Sequence, residues 1–177
     1  MSASNKEVID AVCEYAYMIA KQDWHYIRYR HLVPYTHKCP VCSGRPEGKR
    51  YGSNCICIPF ACWKHGGNIP CNCSTHVIND SNWTRIGVIP DEEKALAIAR
   101  RRIGIDDIML IRGDDVMGSL KRGDACVHFK NGRYYHTSLY LGDGKMLDCS
   151  RETMNTAVRD VMECKYAIRY TGGLEGK

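Results

Sequence analysis

The residues of this chain best suited to chemistry are one histidine and one carboxylate on a short β-meander. The stretch Gly123-Asp124-Ala125-Cys126-Val127-His128-Phe129 runs into Tyr135-His136-Thr137-Ser138-Leu139-Tyr140-Leu141-Gly142-Asp143-Gly144-Lys145-Met146-Leu147-Asp148, which places Asp148 twelve positions after His136 with a turn between them. Strands joined by a tight turn make such positions cross-strand neighbours, and a carboxylate beside a histidine can orient it as a base. Taken alone, the pair reads equally as a structural histidine and a solvated acid at a strand end. A nucleophile is what would turn it into a catalytic set.

Thiolate catalysis needs a cysteine of lowered pKa, a base within hydrogen-bond reach and a group that holds the base. Of the eleven cysteines, Cys55 fits best. It follows the turn-forming Gly52-Ser53-Asn54 and opens the apolar run Ile56-Cys57-Ile58-Pro59-Phe60-Ala61-Cys62-Trp63. A helix starting there would supply a favourable dipole for the thiolate and amides for an oxyanion. Cys57 and Cys62 fall further along that helix, and Cys13 falls on the apolar side of an earlier one, so these read as small core hydrophobes. The candidate catalytic residues are therefore Cys55, His136 and Asp148.

The positioning elements follow from periodicity. Val8, Ile9, Val12, Tyr15, Ala16, Ile19 and Ala20 form a helical stripe over about Lys6 to Gln22, with Asn5 as an acceptable N-cap. From Asp23 to Gly52 the pattern breaks, and Pro34, Pro40 and Pro46 forbid a long helix. A short helix is expected from about Cys55 to Lys64, closed by Gly66-Gly67; Pro59 is tolerated there because the first turn has unpaired amides anyway. Asp91 to Arg102, with Pro90 before it, acids first and bases last, predicts a further helix. Ile108 to Ile111, Ala125 to Phe129, Tyr135 to Leu141, Met146 to Asp148 and Tyr166 to Tyr170 read as strands, with hairpin turns at Lys130-Asn131-Gly132-Arg133 and Gly142-Asp143-Gly144. Helices first and an antiparallel sheet after them argue an α+β fold, N-terminal helices packed on the sheet. At 177 residues the chain reads as a single domain over 1–177, with a Cys-rich inserted segment at about 34–80.

Composition narrows the class. Apolar residues make up 44% and charged residues 25%, an ordinary soluble globular balance, and no window approaches a membrane span. The N-terminal Met1-Ser2-Ala3-Ser4-Asn5-Lys6-Glu7 has no apolar core, so no secretory signal is expected. Any action outside the cell would then need another exit route, such as lysis or carriage on a particle. The net charge of +5 suits an anionic polymer or simply a solvated surface.

Seven cysteines lie between Cys39 and Cys73. One tight cluster favours metal or catalysis over a disulfide scaffold. In His37-Lys38-Cys39-Pro40-Val41-Cys42 the two-residue spacing lets both thiolates reach one tetrahedral zinc. Cys71-Asn72-Cys73 would complete a four-sulfur structural site of Cys39, Cys42, Cys71 and Cys73, with His37 or His76 as substitutes; disulfides and thiols remain the alternatives. Such a closed site leaves no open position for catalysis, so no catalytic cofactor is expected.

With these residues in place the chain resembles the NlpC/P60 cysteine peptidases, in Asn54-Cys55 and the helix with Trp63, in Lys121-Arg122-Gly123-Asp124, and above all in the hairpin from His136 to Asp148. The resemblance runs from the first helix to about Ser150, with 36–111 enlarged. It implies a papain-like fold, Cys55 as nucleophile, His136 as base, and Asp148 where the family places its third polar residue. It also implies a peptidoglycan peptide as substrate, cut at an amide bond by an endopeptidase or amidase, as in phage-type or prophage wall hydrolases. Asn54 stands for the family's aspartate, Ile56 for serine and Thr137-Ser138 for Val-Gly. Tyr29, Tyr35 and Tyr51 are alternative candidates for the one tyrosine many members place near the nucleophile, and the sequence does not choose among them. Two other readings stay open: a papain-like acyl transferase, and a zinc-ribbon module binding nucleic acid through Trp24-His25-Tyr26-Ile27-Arg28-Tyr29-Arg30-His31. The second leaves the hairpin unexplained, so no nucleic-acid partner is expected; the sequence does not give the oligomeric state.

Overall fold

The computed structural model describes residues 4–22, 25–26, 52–73, 80–150, 152–153 and 155–172. Cys39, Cys42, His37, His76, Tyr29, Tyr35 and Tyr51 lie outside them. The first helix, α1, spans Asn5–Gln22 and is capped by Ser4, one residue earlier than expected. The Ser4 hydroxyl accepts from the Glu7 amide at 3.3 Å, while the Glu7 carboxylate accepts from the Ser4 amide at 2.7 Å. This reciprocal pair satisfies two amides that helix geometry leaves unpaired. A two-residue parallel pair follows, β1 (His25–Tyr26) with β2 (Gly52–Ser53).

The helix expected at Cys55 to Lys64 forms as α2 (Cys57–Ala61), continued by a π-helical turn over Cys62–Gly66. Pro59 does fall in its first turn. The Gly66-Gly67 pair has a packing reason beyond ending the helix. A Cβ on Gly66 would sit 2.6 Å from Tyr15 Cβ and 2.8 Å from the Ala11 carbonyl oxygen, so glycine lets this segment lie against α1.

Two further helices follow. The sequence pattern did not foresee α3 (Asp80–Val88), whose buried positions are Asn82, Trp83 and Ile86. The expected α4 spans Glu92–Ile103. Asp91 caps it by accepting from the Lys94 amide at 3.0 Å, and Gly104 ends it in the left-handed region at φ 81°.

Six strands make one antiparallel sheet in the order β3-β8-β4-β5-β6-β7: β3 (Ile108–Ile111), β4 (Ala125–Lys130), β5 (Arg133–Gly142), β6 (Lys145–Cys149), β7 (Thr156–Asp160) and β8 (Tyr166–Tyr170). All five expected strands are present, and β7 is additional. The fold is α+β, as the order of elements implied. The β4–β5 turn uses Asn131 at φ 53° and Gly132 at φ 72°, the geometry favoured by Asn-Gly.

Strand alternation gives the sheet two buried faces. Ala125, Val127, Leu139, Leu147, Tyr166 and Ile168 belong to the main core with Val12, Ala16, Ile19, Ile58, Phe60, Trp63 and Trp83. Each fully buried aliphatic or Phe side chain here contributes roughly 1.5–3 kcal/mol. Trp63 also donates its indole N–H to the Gly123 carbonyl at 2.8 Å, fastening the α2 segment to the start of β4. Cys126 and Ala167, at alternate positions, join Val116 and Cys164 in a separate smaller cluster. Asp124, buried beside it, is gripped by Arg169 at 2.8 and 2.7 Å. Among the described residues no helix is long and apolar enough to cross a membrane.

Candidate active site

The site forms where β5 and β6 part. Their ladder runs from Gly142↔Lys145 to Leu139↔Leu147 and stops there, although both strands continue. Continuing that register by one step would set Asp148 opposite Ser138, so His136 and Asp148 are diagonal neighbours rather than directly opposed. They nonetheless meet across the opening, with His136 Nε2 lying 2.6 Å from Asp148 Oδ1. Both residues are buried.

Arg159, on β7, closes the far side of the carboxylate with Nε 3.0 Å from Asp148 Oδ2. Its guanidinium is fixed in turn, donating to Thr153 Oγ1 at 2.6 Å and to Asn155 Oδ1 at 3.1 Å. The His136 and Arg159 donors are close to the carboxylate but not aligned on it as linear hydrogen bonds, so the three groups make a contact ion cluster.

Cys55 sits in the turn just before α2, at 9% exposure. The Asn54 side chain holds this turn by accepting from the Cys57 amide at 3.1 Å. Three groups converge on the sulfur. The Tyr134 hydroxyl lies 3.7 Å away, and the His136 ring and the Thr137 backbone amide are placed to favour its thiolate. With Nε2 committed to Asp148, Nδ1 is the ring nitrogen left for the thiol. Thr137 Oγ1 donates to the Tyr134 oxygen at 3.1 Å, which frees the phenol hydrogen to point at Cys55. The parting of β5 and β6 is what releases the Thr137 amide for this use.

These contacts set the charge state. Burial on its own would push the Cys55 thiol up; the hydrogen bond and charge of His136, helped by Tyr134 and Thr137, outweigh it and bring the thiol below its ordinary value. Burial disfavours the His136 cation, yet Asp148 and the Cys55 sulfur raise it from 6.5 to about 9. Both shifts run toward a thiolate–imidazolium pair, the charge state thiol nucleophiles require.

A second histidine supports the first. His128 is the register partner of His136, and their rings lie 5.5 Å apart. Its Nδ1 donates to the Glu163 carbonyl at 2.8 Å, leaving Nε2 to accept from the Ser138 hydroxyl at 2.8 Å. Burial lowers it to about 4, so it stays neutral and adds no charge beside His136.

The structure thus brings together Cys55, His136 and Asp148, the three residues singled out from the sequence. Cys13, Cys57 and Cys62 are buried in the main core, as their positions implied. Tyr134, Thr137, Arg159 and His128 went unrecognised. Tyr134 reaches the site through a β-bulge: the single step from His128 to Phe129 on β4 matches a double step from His136 to Tyr134 on β5. No motif in the sequence marks that irregularity.

Of the four expected zinc ligands, only Cys71 and Cys73 are described. Cys71 donates its thiol to the Phe60 carbonyl at 3.4 Å, and Cys73 Sγ lies 3.7 Å from His65 Nε2. Among the described residues no group of three or more His, Cys, Asp or Glu is placed to hold a metal ion.

No family model matches this chain, and no curated protein does. Among solved structures it is similar to NlpC2 from Trichomonas vaginalis, with 10% sequence identity and a TM-score of 0.45. The match covers 96% of this chain and 48% of that one, so this chain spans about half the length of that relative.

Proposed function

We propose that this protein is a cysteine hydrolase of papain-like, NlpC/P60 type that cuts amide bonds in bacterial wall peptides, with Cys55, His136 and Asp148 as its catalytic triad. The observation that carries the reading is one buried imidazole with two partners: Nε2 lies 2.6 Å from Asp148, and the Cys55 sulfur together with Asp148 raises its affinity for a proton. The wall-peptide substrate rests on the motif resemblance, chiefly the His136 to Asp148 hairpin.

The chemistry follows from the charges. The Cys55 thiolate attacks the amide carbonyl, forming a carbon–sulfur bond and a tetrahedral oxyanion. His136 delivers its Nδ1 proton to the leaving nitrogen, and the carbon–nitrogen bond breaks. The neutral ring then takes a proton from water, which attacks the thioester and releases the acid and the thiol. Asp148 stabilises the imidazolium and holds the tautomer, while Arg159 holds Asp148.

Digestion of purified peptidoglycan tests this. Mass spectrometry of the soluble products is expected to show new peptides with the wild type and none with Cys55→Ala; identical products from both would overturn the reading. The cut position distinguishes an endopeptidase from an amidase. Delivery to the wall after lysis, on a phage particle or by non-classical export goes with this reading. Cys39, Cys42, Cys71 and Cys73 are proposed as a structural zinc site, supported by the Cys-Pro-x-Cys spacing and the burial of Cys71 and Cys73. Elemental analysis of the purified chain is expected to give near one zinc per molecule; a zinc-free folded protein would exclude the site.

A further inference from the structure

Two cysteines that the proposed hydrolase does not use lie together on the sheet. Cys126, on β4, is completely buried; Cys164, in the run leading into β8, is 6% exposed. They pack in the same small cluster with Val116 and Ala167. Each thiol perturbs the proton affinity of the other, and Cys164 Sγ is 3.8 Å from Met117 Sδ. Cys164 and Met117 also line a cavity of about 440 Å³ whose mouth carries the exposed Asp114, Asp115, Tyr135 and Glu163. Cys164 thus lines the cavity, while Cys126, in the same cluster, does not.

We propose that Cys126 and Cys164 form an oxidation site, a dithiol that a small peroxide entering this cavity converts to a disulfide. The pair is polarised for it. Exposure sets the roles, since Cys164 lines the cavity and Cys126 is completely buried. The neighbouring Cys126 holds the Cys164 thiol below its ordinary value against the effect of burial, while Cys164 and burial hold Cys126 well above. Cys164 is then the attacking sulfur and Cys126 the resolving thiol.

In the first step the Cys164 sulfur attacks a peroxide oxygen. A sulfur–oxygen bond forms, the oxygen–oxygen bond breaks, and the departing hydroxide takes a proton to become water. Cys126 then gives up its proton and attacks the Cys164 sulfenic acid; the sulfur–sulfur bond forms and a second water leaves. The two thiols lose two electrons in total and hydrogen peroxide is reduced to two waters. A small thiol reductant of the glutathione class would reverse the change by exchange.

The bond would join β4 to the segment whose Glu163 carbonyl holds His128 Nδ1. It would leave Cys55 untouched, so the site stands independently of the hydrolase reading.

The test is peroxide treatment of the full-length protein, digestion without reductant, and mapping of cysteine-containing peptides by mass spectrometry. A Cys126–Cys164 linked peptide, lighter by two hydrogens, is expected in the wild type and equally in a Cys55→Ala variant, which removes the competing thiolate. In Cys126→Ser, Cys164 is expected to stop at the sulfenic acid and be captured by dimedone; in Cys164→Ser, neither linkage nor capture at Cys126 is expected. Recovery of both residues as thiols in the wild type would overturn the proposal. Linkage of Cys164 to a different cysteine would do the same. The wild-type mapping decides the matter even if a serine variant does not fold.

Discussion

Replacing Asp148 with asparagine keeps the size of the side chain and removes the charge that faces His136 Nε2 at 2.6 Å. His136 titrates at about 9 against 6.5 for an unperturbed ring, a gap of about 2.5 units. At roughly 1.36 kcal/mol per unit, this corresponds to about 3 kcal/mol of preference for the imidazolium, with Asp148 the foremost of the groups that raise it. In Asp148→Asn burial is opposed only by the Cys55 sulfur, so the His136 midpoint is expected to fall by about 1–2 units of that gap. The assay is an NMR titration of the His136 ring protons; His128, at about 4, stays out of the window. The stability effect has a definite sign. A raised histidine stabilises the fold fully below pH 6.5, loses that contribution as pH rises through about 9, and contributes nothing above it. The stability gap between wild type and Asp148→Asn, read by denaturant melts, should therefore be widest below pH 6.5 and narrow toward pH 10. A His136 midpoint unchanged by the substitution would refute the reasoning.

Other expectations follow from single contacts. Tyr134→Phe removes the hydroxyl 3.7 Å from the sulfur; the Cys55 midpoint should rise and alkylation near pH 7 slow by up to roughly 10-fold, measured by iodoacetamide kinetics at that peptide. Gly66→Ala drives a methyl to 2.6 Å from Tyr15 Cβ; a loss of about 1–3 kcal/mol is expected, seen as a Tm lower by roughly 2–4 °C per kcal/mol. Arg169→Met leaves Asp124 buried without its cation; denaturant unfolding should show a loss of about 3–5 kcal/mol.

What the sequence made legible was local. The Asn131-Gly132 turn was readable because few residues accept positive φ. Pro90 and the acids-first, bases-last order declared α4, and the structure adds the Asp91 cap. Cys55 stood out because it follows a turn and precedes an apolar run. Three features were not readable for physical reasons. Helix α3 presents mostly Trp83 and Ile86 as apolar core positions, too few for a periodic stripe. Strand β7 pairs with the sheet on one side alone, and buried Thr156 precedes the half-buried Ala157 and Arg159, so it lacks an apolar run. The third is tertiary: the bulge that brings Tyr134 to the thiol, the parting of β5 from β6 that frees the Thr137 amide, and the reach of Arg159 to Asp148 all depend on pairings between strands.

The central claim, that Cys55 is an activated nucleophile served by His136, is tested most directly by trapping its acyl intermediate. The full-length protein is mixed with a p-nitrophenyl ester slightly below neutral pH, quenched in acid, and mapped by peptide mass spectrometry. The acyl group is expected on Cys55, with acylation slowed about 10³-fold or more in His136→Ala. Acylation spread over other cysteines, or none at Cys55, would contradict it.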